Sequence, residues 1–217
     1  MKKYQLYLFD FDGTLIDSDP MIEASFKELY SKYKPREIID KNKLLTFSGP
    51  PIKETLLKEF PDANQIDVLN DFLMYSIKYY GTLVKAYPHS RELLLFLKSR
   101  GYKVGLLTSK AKKATMYALK VTNLDGLFDA IMTSDDVKET KPSPEGVYSI
   151  MKQLNITNRD DVIMIGDSNF DYLTSVNAGI DFGYVNFSPR KLKENAKVDI
   201  FINSFNDFIK EIKNGKA

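Results

Sequence analysis

The chain has 217 residues, of which 43% are hydrophobic and 28% charged, and its 31 Lys and Arg against 29 Asp and Glu leave a formal net charge of only +2. So small a surplus gives no basis for a nucleic-acid partner, and the absence of cysteine excludes thiol nucleophiles, disulfides and cysteine-built zinc sites. No apolar run approaches the ~20 residues of a membrane span, so no membrane partner is expected.

A chain this long buries roughly 70% of its unfolded surface, which suits one large domain or a core with a smaller second domain. Met1-Lys2-Lys3 opens like a secretory signal, but the apolar run behind it is short and ends in two aspartates. A cytoplasmic location is therefore expected.

Taken in chain order, short runs rich in Leu, Ile, Val or Met fall at 4–9, 103–108, 130–133, 161–165 and 181–185. Each is bounded by Gly, Asp, Ser or Thr, which predicts buried parallel strands. Helical patterns lie between them. Ser90 is a plausible N-cap for a helix over 90–100 that stops at Gly101, and Ser143-Pro144 opens another through Leu154. Alternating strand and helix predicts a doubly wound α/β sheet.

The stretch from 16 to about 82 breaks that alternation and reads as consecutive helices over 21–33, 52–60 and 65–80. We expect a helical insert after the first strand, covering 17–82, with a core formed by 1–16 and 83–217. Its junctions fall at 17–20 and 81–88. The tyrosines at 75, 79 and 80 are expected to pack rather than to bind a ligand, and the tail from 204 to 217 should close as an amphipathic helix with a frayed end.

The chemistry begins at Tyr7, where the chain reads Tyr-Leu-Phe-Asp-Phe-Asp-Gly-Thr-Leu. Residues two apart on an extended strand share a face, so Asp10 and Asp12 converge as the strand ends, and Gly13 permits a sharp turn. Like charges that close need a cation or a shared proton. The same Asp-x-Asp-Gly also occurs in ordinary turns. Open parallel sheets place their sites beyond the carboxyl ends of the strands. At those ends stand Asp10 and Asp12, then Thr108-Ser109-Lys110, then Gly166-Asp167-Ser168-Asn169-Phe170-Asp171, with Lys141-Pro142 in a polar loop.

This set resembles the haloacid dehalogenase-like hydrolases, in their phosphatase branch with a helical cap inserted after the first motif. Asp10 to Thr14 matches the first motif, Thr108-Ser109 the second, Lys141-Pro142 the third and Gly166 to Asp171 the fourth, so the resemblance spans 4 to about 185. It implies a Rossmann-like core with a small all-helical cap. It also implies Asp10 as the nucleophile that takes up a phosphoryl group, and Asp12 as the acid and base. Mg2+ would be held by Asp10, Asp167 and the Asp12 backbone carbonyl, with Asp171 a further metal-side carboxylate through water.

Lys141 and Thr108 would bind the phosphoryl oxygens, with Ser109 and Lys110 weaker candidates. Read alone, Lys141 is an ordinary loop lysine, and Asp167 and Asp171 suit a helix N-terminus.

The resemblance implies a small phosphorylated metabolite as substrate. The cap loop and the motif spacing look most like phosphoglycolate phosphatases and the cap-bearing pyrophosphatases. A β-phosphoglucomutase-like phosphotransferase, which would show an arginine-bearing cap signature, and a non-catalytic family member are the lesser alternatives. Haloacid dehalogenation is excluded, because that branch lacks an acid at the position of Asp12. In the cap, Gly49 lies in a loop before a helix at Ile52, where backbone N–H groups suit an anion, and a plain turn explains it equally. Lys53 is the nearest cation. His89, the only histidine, reads as capping or core-edge. A monomer or homodimer is expected, with a cap that swings over its substrate.

Overall fold

The apolar runs pair side by side into one parallel sheet. The computed structural model describes residues 2–215, with strands β1 (Leu6–Phe9), β2 (Ile16–Asp17), β3 (Lys85–Ala86), β4 (Lys103–Leu107), β5 (Ala130–Met132), β6 (Val162–Gly166), β7 (Asp181–Val185) and β8 (Ile200–Ile202). Six of them form a sheet in the order β5-β4-β1-β6-β7-β8, and β2 and β3 form a separate antiparallel ribbon. All four residues of β1 are buried, as a central strand covered on both faces requires. The side chains alternate accordingly: Tyr7, Phe9, Val104, Leu106, Ile163 and Ile165 enter one core layer, and Leu6, Leu8, Leu107, Val162 and Met164 the other.

The helices divide between those layers. α5 (Ser90–Ser99), α6 (Lys112–Val121) and α9 (Phe205–Lys213) place Leu93, Leu94, Leu97, Ala118, Leu119, Phe205 and Phe208 in the first. α7 (Glu145–Gln153) and α8 (Asn169–Ala178) place Val147, Ile150, Met151 and Ala178 in the second. The expected doubly wound, Rossmann-like core is present.

Four helices, α1 (Asp19–Tyr33), α2 (Lys41–Leu45), α3 (Ile52–Glu59) and α4 (Gln65–Leu83), form the cap between β2 and β3. Phe26 of α1 packs against Phe47 and Phe72, with ring centroids 4.2 and 5.7 Å apart. The junctions are more ordered than plain linkers, since β2 and β3 pair and Ser90 Oγ donates to the Leu15 carbonyl at 2.8 Å.

Several expectations shift by a residue or more. The helix expected from Ser143 starts at Glu145, with Pro144 at the N-cap and the Ser143 hydroxyl accepting from the Glu145 N–H at 3.3 Å. Proline fits there because it brings no N–H that needs a partner. His89 occupies the N-cap of α5 with φ at 65°, yet its imidazole makes no capping hydrogen bond. α2 and β8 were not expected; each is too short to show a period. Of the predicted tail, Lys216 and Ala217 lie outside the described residues. No helix among the described residues is long and apolar enough to cross a membrane.

Candidate active site

Register brings the four stretches together. Phe9 stands opposite both Leu106 and Ile165, so the residues just past each strand emerge along one edge. Asp10 continues the ladder by donating its N–H to the Ile165 carbonyl at 2.9 Å. The chain then turns at Gly13, where φ is +86° and a Cβ would run into the Asp167 carboxylate and the Arg190 guanidinium. Only glycine satisfies both demands. Gly166 has the same close fit, because a Cβ there would strike the Asp171 side chain.

Asp10, Asp167 and Asp171 are all buried, and one carboxylate oxygen from each lies within 4.8 Å of the others. Lys141 Nζ donates to Asp10 Oδ1 at 2.6 Å and to Asp171 Oδ1 at 2.7 Å. Asp171 Oδ2 accepts from the Ser168 N–H at 3.0 Å and the Ser168 hydroxyl at 2.6 Å, closing a capping box on α8. Both Asp171 oxygens are thus engaged, which makes this residue the anchor of Lys141 as well as a helix cap.

Asp167 Oδ2 accepts from Ser188 Oγ at 2.6 Å and Arg190 Nη1 at 2.8 Å, while its Oδ1 has only the Thr14 hydroxyl at 3.4 Å. Arg190 also pairs with Asp19 at the start of α1, joining the carboxylate cluster to the cap.

The charges do not cancel. Three carboxylates face one lysine and one arginine, and that arginine is shared with Asp19. Burial raises the pKa of Asp10, Asp171 adds to the shift, and Lys141 opposes it. Burial likewise raises Asp167, against the pull of Arg190. For Lys141, burial works against the ammonium, but Asp10 and Asp171 outweigh it and the net shift is upward. A buried, oxygen-only donor set with surplus negative charge and a free face on Asp167 fits a hard divalent cation.

Asp12 has a separate environment. Lys110 Nζ lies 2.9 Å from both of its oxygens, and Ser18, the residue before α1, donates to Oδ1 at 2.6 Å. The Asp12 carboxylate is therefore outside the trio, held at the rim by a lysine and by the cap junction.

Asp10, Asp12, Thr108, Ser109, Lys110 and Gly49 all line one hollow of about 110 Å3 between the strand ends and the cap. Gly49, with φ at +114°, supplies part of its roof. Lys53 does not reach it; that side chain borders a different hollow with Leu56, Leu57 and Ile66. Tyr80 packs as expected, its buried ring edge-on to Tyr117 with centroids 5.3 Å apart, and it also borders the site hollow. Sequence reasoning missed Arg190 and Ser188 entirely, because no motif or period marks them.

A family model described as haloacid dehalogenase-like hydrolase matches residues 7–185. A protein named pyrophosphatase PpaX from Bacillus anthracis is 30% identical over 209 residues, covering 95% of each chain. Among solved structures, one provisionally described as a haloacid dehalogenase-like hydrolase from Bacteroides fragilis superposes with a TM-score of 0.84 at 25% identity, covering 95% of this chain and 100% of that one. Another, provisionally described as a phosphoglycolate phosphatase from Lactobacillus plantarum, has a TM-score of 0.80 at 22% identity over 96% and 99% of the two chains. With the carboxylate trio, its lysine and the inserted cap in the arrangement described, the chain belongs to the haloacid dehalogenase-like hydrolases.

Proposed function

We propose that this chain is a Mg2+-dependent phosphatase of small phosphate monoesters, in the size range of phosphoglycolate, working through a phosphorylated Asp10. The observation that carries the reading is the buried trio of Asp10, Asp167 and Asp171, with Lys141 on Asp10, beneath a small hollow. An Asp10 oxygen attacks phosphorus, the bond from phosphorus to the ester oxygen breaks, and that oxygen leaves with the proton carried by Asp12. Water then attacks phosphorus and gives a proton to Asp12, the bond to Asp10 breaks, and inorganic phosphate departs. Ester and water become alcohol and phosphate, and both aspartates return to their starting states.

Lys141 and Thr108 hold the phosphoryl oxygens as charge develops on them. Ser18 and Lys110 orient Asp12 for both proton transfers. The carboxylates of Asp10 and Asp167 and the Asp12 carbonyl are the groups that would hold Mg2+, and Ser188 and Arg190 orient Asp167. When bound, the ion offsets negative charge on nucleophile and phosphate. Residues 17–82 act as the cover over this chemistry.

Two measurements check the reading. Phosphate release from p-nitrophenyl phosphate should require Mg2+, stop on chelation and return on re-addition; metal-independent turnover would overturn it. Thermal unfolding should show the same ion through linkage. With Asp10 and Asp167 raised, the metal-free folded chain keeps protons that the unfolded chain releases from about pH 4 upward, so its stability falls as pH rises through the shifted values. Mg2+ relieves that repulsion, and the rise in Tm on adding it should be larger at about pH 8 than at about pH 5.

A second reading, hydrolysis of inorganic pyrophosphate, is favoured by the Bacillus anthracis relative, whose match runs nearly end to end. Parallel assays of pyrophosphate and a phosphate monoester separate the two.

A further inference from the structure

The hollow that Asp10 borders is lined mostly by apolar side chains. Its only charged lining residues, among those described, are Asp10, Asp12 and Lys110, all from the core, and the Lys110 ammonium is already matched by Asp12. The cap contributes Met21, Ile22, Phe47 and Phe72 and no charge at all. Within this apolar surface sit three hydroxyls, on Ser48, Tyr80 and Ser109. Their residues are 6%, 3% and 8% exposed, and none of the three hydroxyl oxygens meets a protein partner at full hydrogen-bonding geometry, although the Lys110 ammonium lies beside that of Tyr80. Buried hydroxyls are ordinarily paired, and leaving one unpaired is costly. Three in one small hollow, from α4, the cap loop and the end of β4, mark places where a ligand's polar atoms belong.

The geometry points to a leaving group that is short, uncharged and hydroxyl-bearing, held by Ser48, Tyr80 and Ser109. This rests on the phosphatase reading and narrows it. A carboxylate or second phosphate in this position would be buried with no free cation to meet it, which is unfavourable. A hydroxyl or carbonyl would pair with the three hydroxyls without bringing charge. Within its size class the substrate is then a small polyol or hydroxyketone phosphate rather than a phosphorylated acid.

The test compares kcat/KM with Mg2+ for glycerol 1-phosphate, propyl phosphate, phosphoglycolate and p-nitrophenyl phosphate. The wild type should favour glycerol 1-phosphate over both propyl phosphate and phosphoglycolate by about tenfold or more. Tyr80→Phe removes only the hydroxyl oxygen and should cut the glycerol-to-propyl ratio by about fivefold, mainly through KM for the hydroxylated ester. Ser48→Ala is the second variant, and a change in that ratio cannot come from misfolding, since both esters meet the same enzyme. A wild-type ratio within about twofold, a preference for phosphoglycolate, or an unchanged ratio in both variants would overturn the assignment. Failure of the phosphatase reading looks different: no Mg2+-dependent release from any ester, p-nitrophenyl phosphate included, which removes both.

Discussion

Asp10→Asn is expected to lower phosphate release from p-nitrophenyl phosphate by at least about a thousandfold, because an amide cannot replace the attacking carboxylate. The change removes one charge and almost no volume. Asp10 is 4% exposed and shares its surroundings with Asp167 and Asp171, so the neutral amide relieves repulsion that burial makes worse. Lys141 keeps Asp171 as a partner at 2.7 Å. The variant should therefore fold, and in chelator it should unfold at the same temperature as the wild type or a higher one. Activity and stability move in opposite directions, a combination that simple structural damage does not produce. Activity within about tenfold of wild type in the folded variant would sink Asp10 as nucleophile.

How much of this could be seen in the sequence depends on where each part is encoded. Asp10, Thr108 and Asp167 come directly after buried apolar runs, and the register of parallel strands converts that local pattern into proximity. Lys141 was legible only through its order relative to the other motifs, since a loop lysine before proline has no local signature. Arg190 and Ser188 lie in an irregular stretch after β7, and only the tertiary fold sets them against Asp167. Tyr80 sits on a helical apolar face whose spacing marks a packed ring but does not reveal that the ring borders the site hollow. The β2–β3 ribbon is two residues on each side, too brief for alternation to appear. Elements with a period were legible, and contacts made by single side chains across distant loops were not.

Lys141→Met should carry a large cost to stability. The Lys141 side chain is 3% exposed and bridges Asp10 and Asp171, so methionine fills its volume while leaving buried carboxylates unmatched. Removing one partner of a buried ion pair costs ~3–5 kcal/mol, and here two carboxylates lose the same partner. Denaturation in chelator should show that loss, and phosphate release should fall by at least about a hundredfold because the phosphoryl oxygens lose a fixed cation. Mg2+ should restore more stability to this variant than to the wild type, since the cluster it enters is more negative. Adding Asp171→Asn to Lys141→Met should recover part of the lost stability, as one unmatched charge disappears, while activity stays low. Such non-additivity is what a shared network requires. If Lys141→Met unfolds in chelator at the wild-type midpoint, the ammonium is not what holds the three carboxylates together, and the cluster must be balanced from elsewhere.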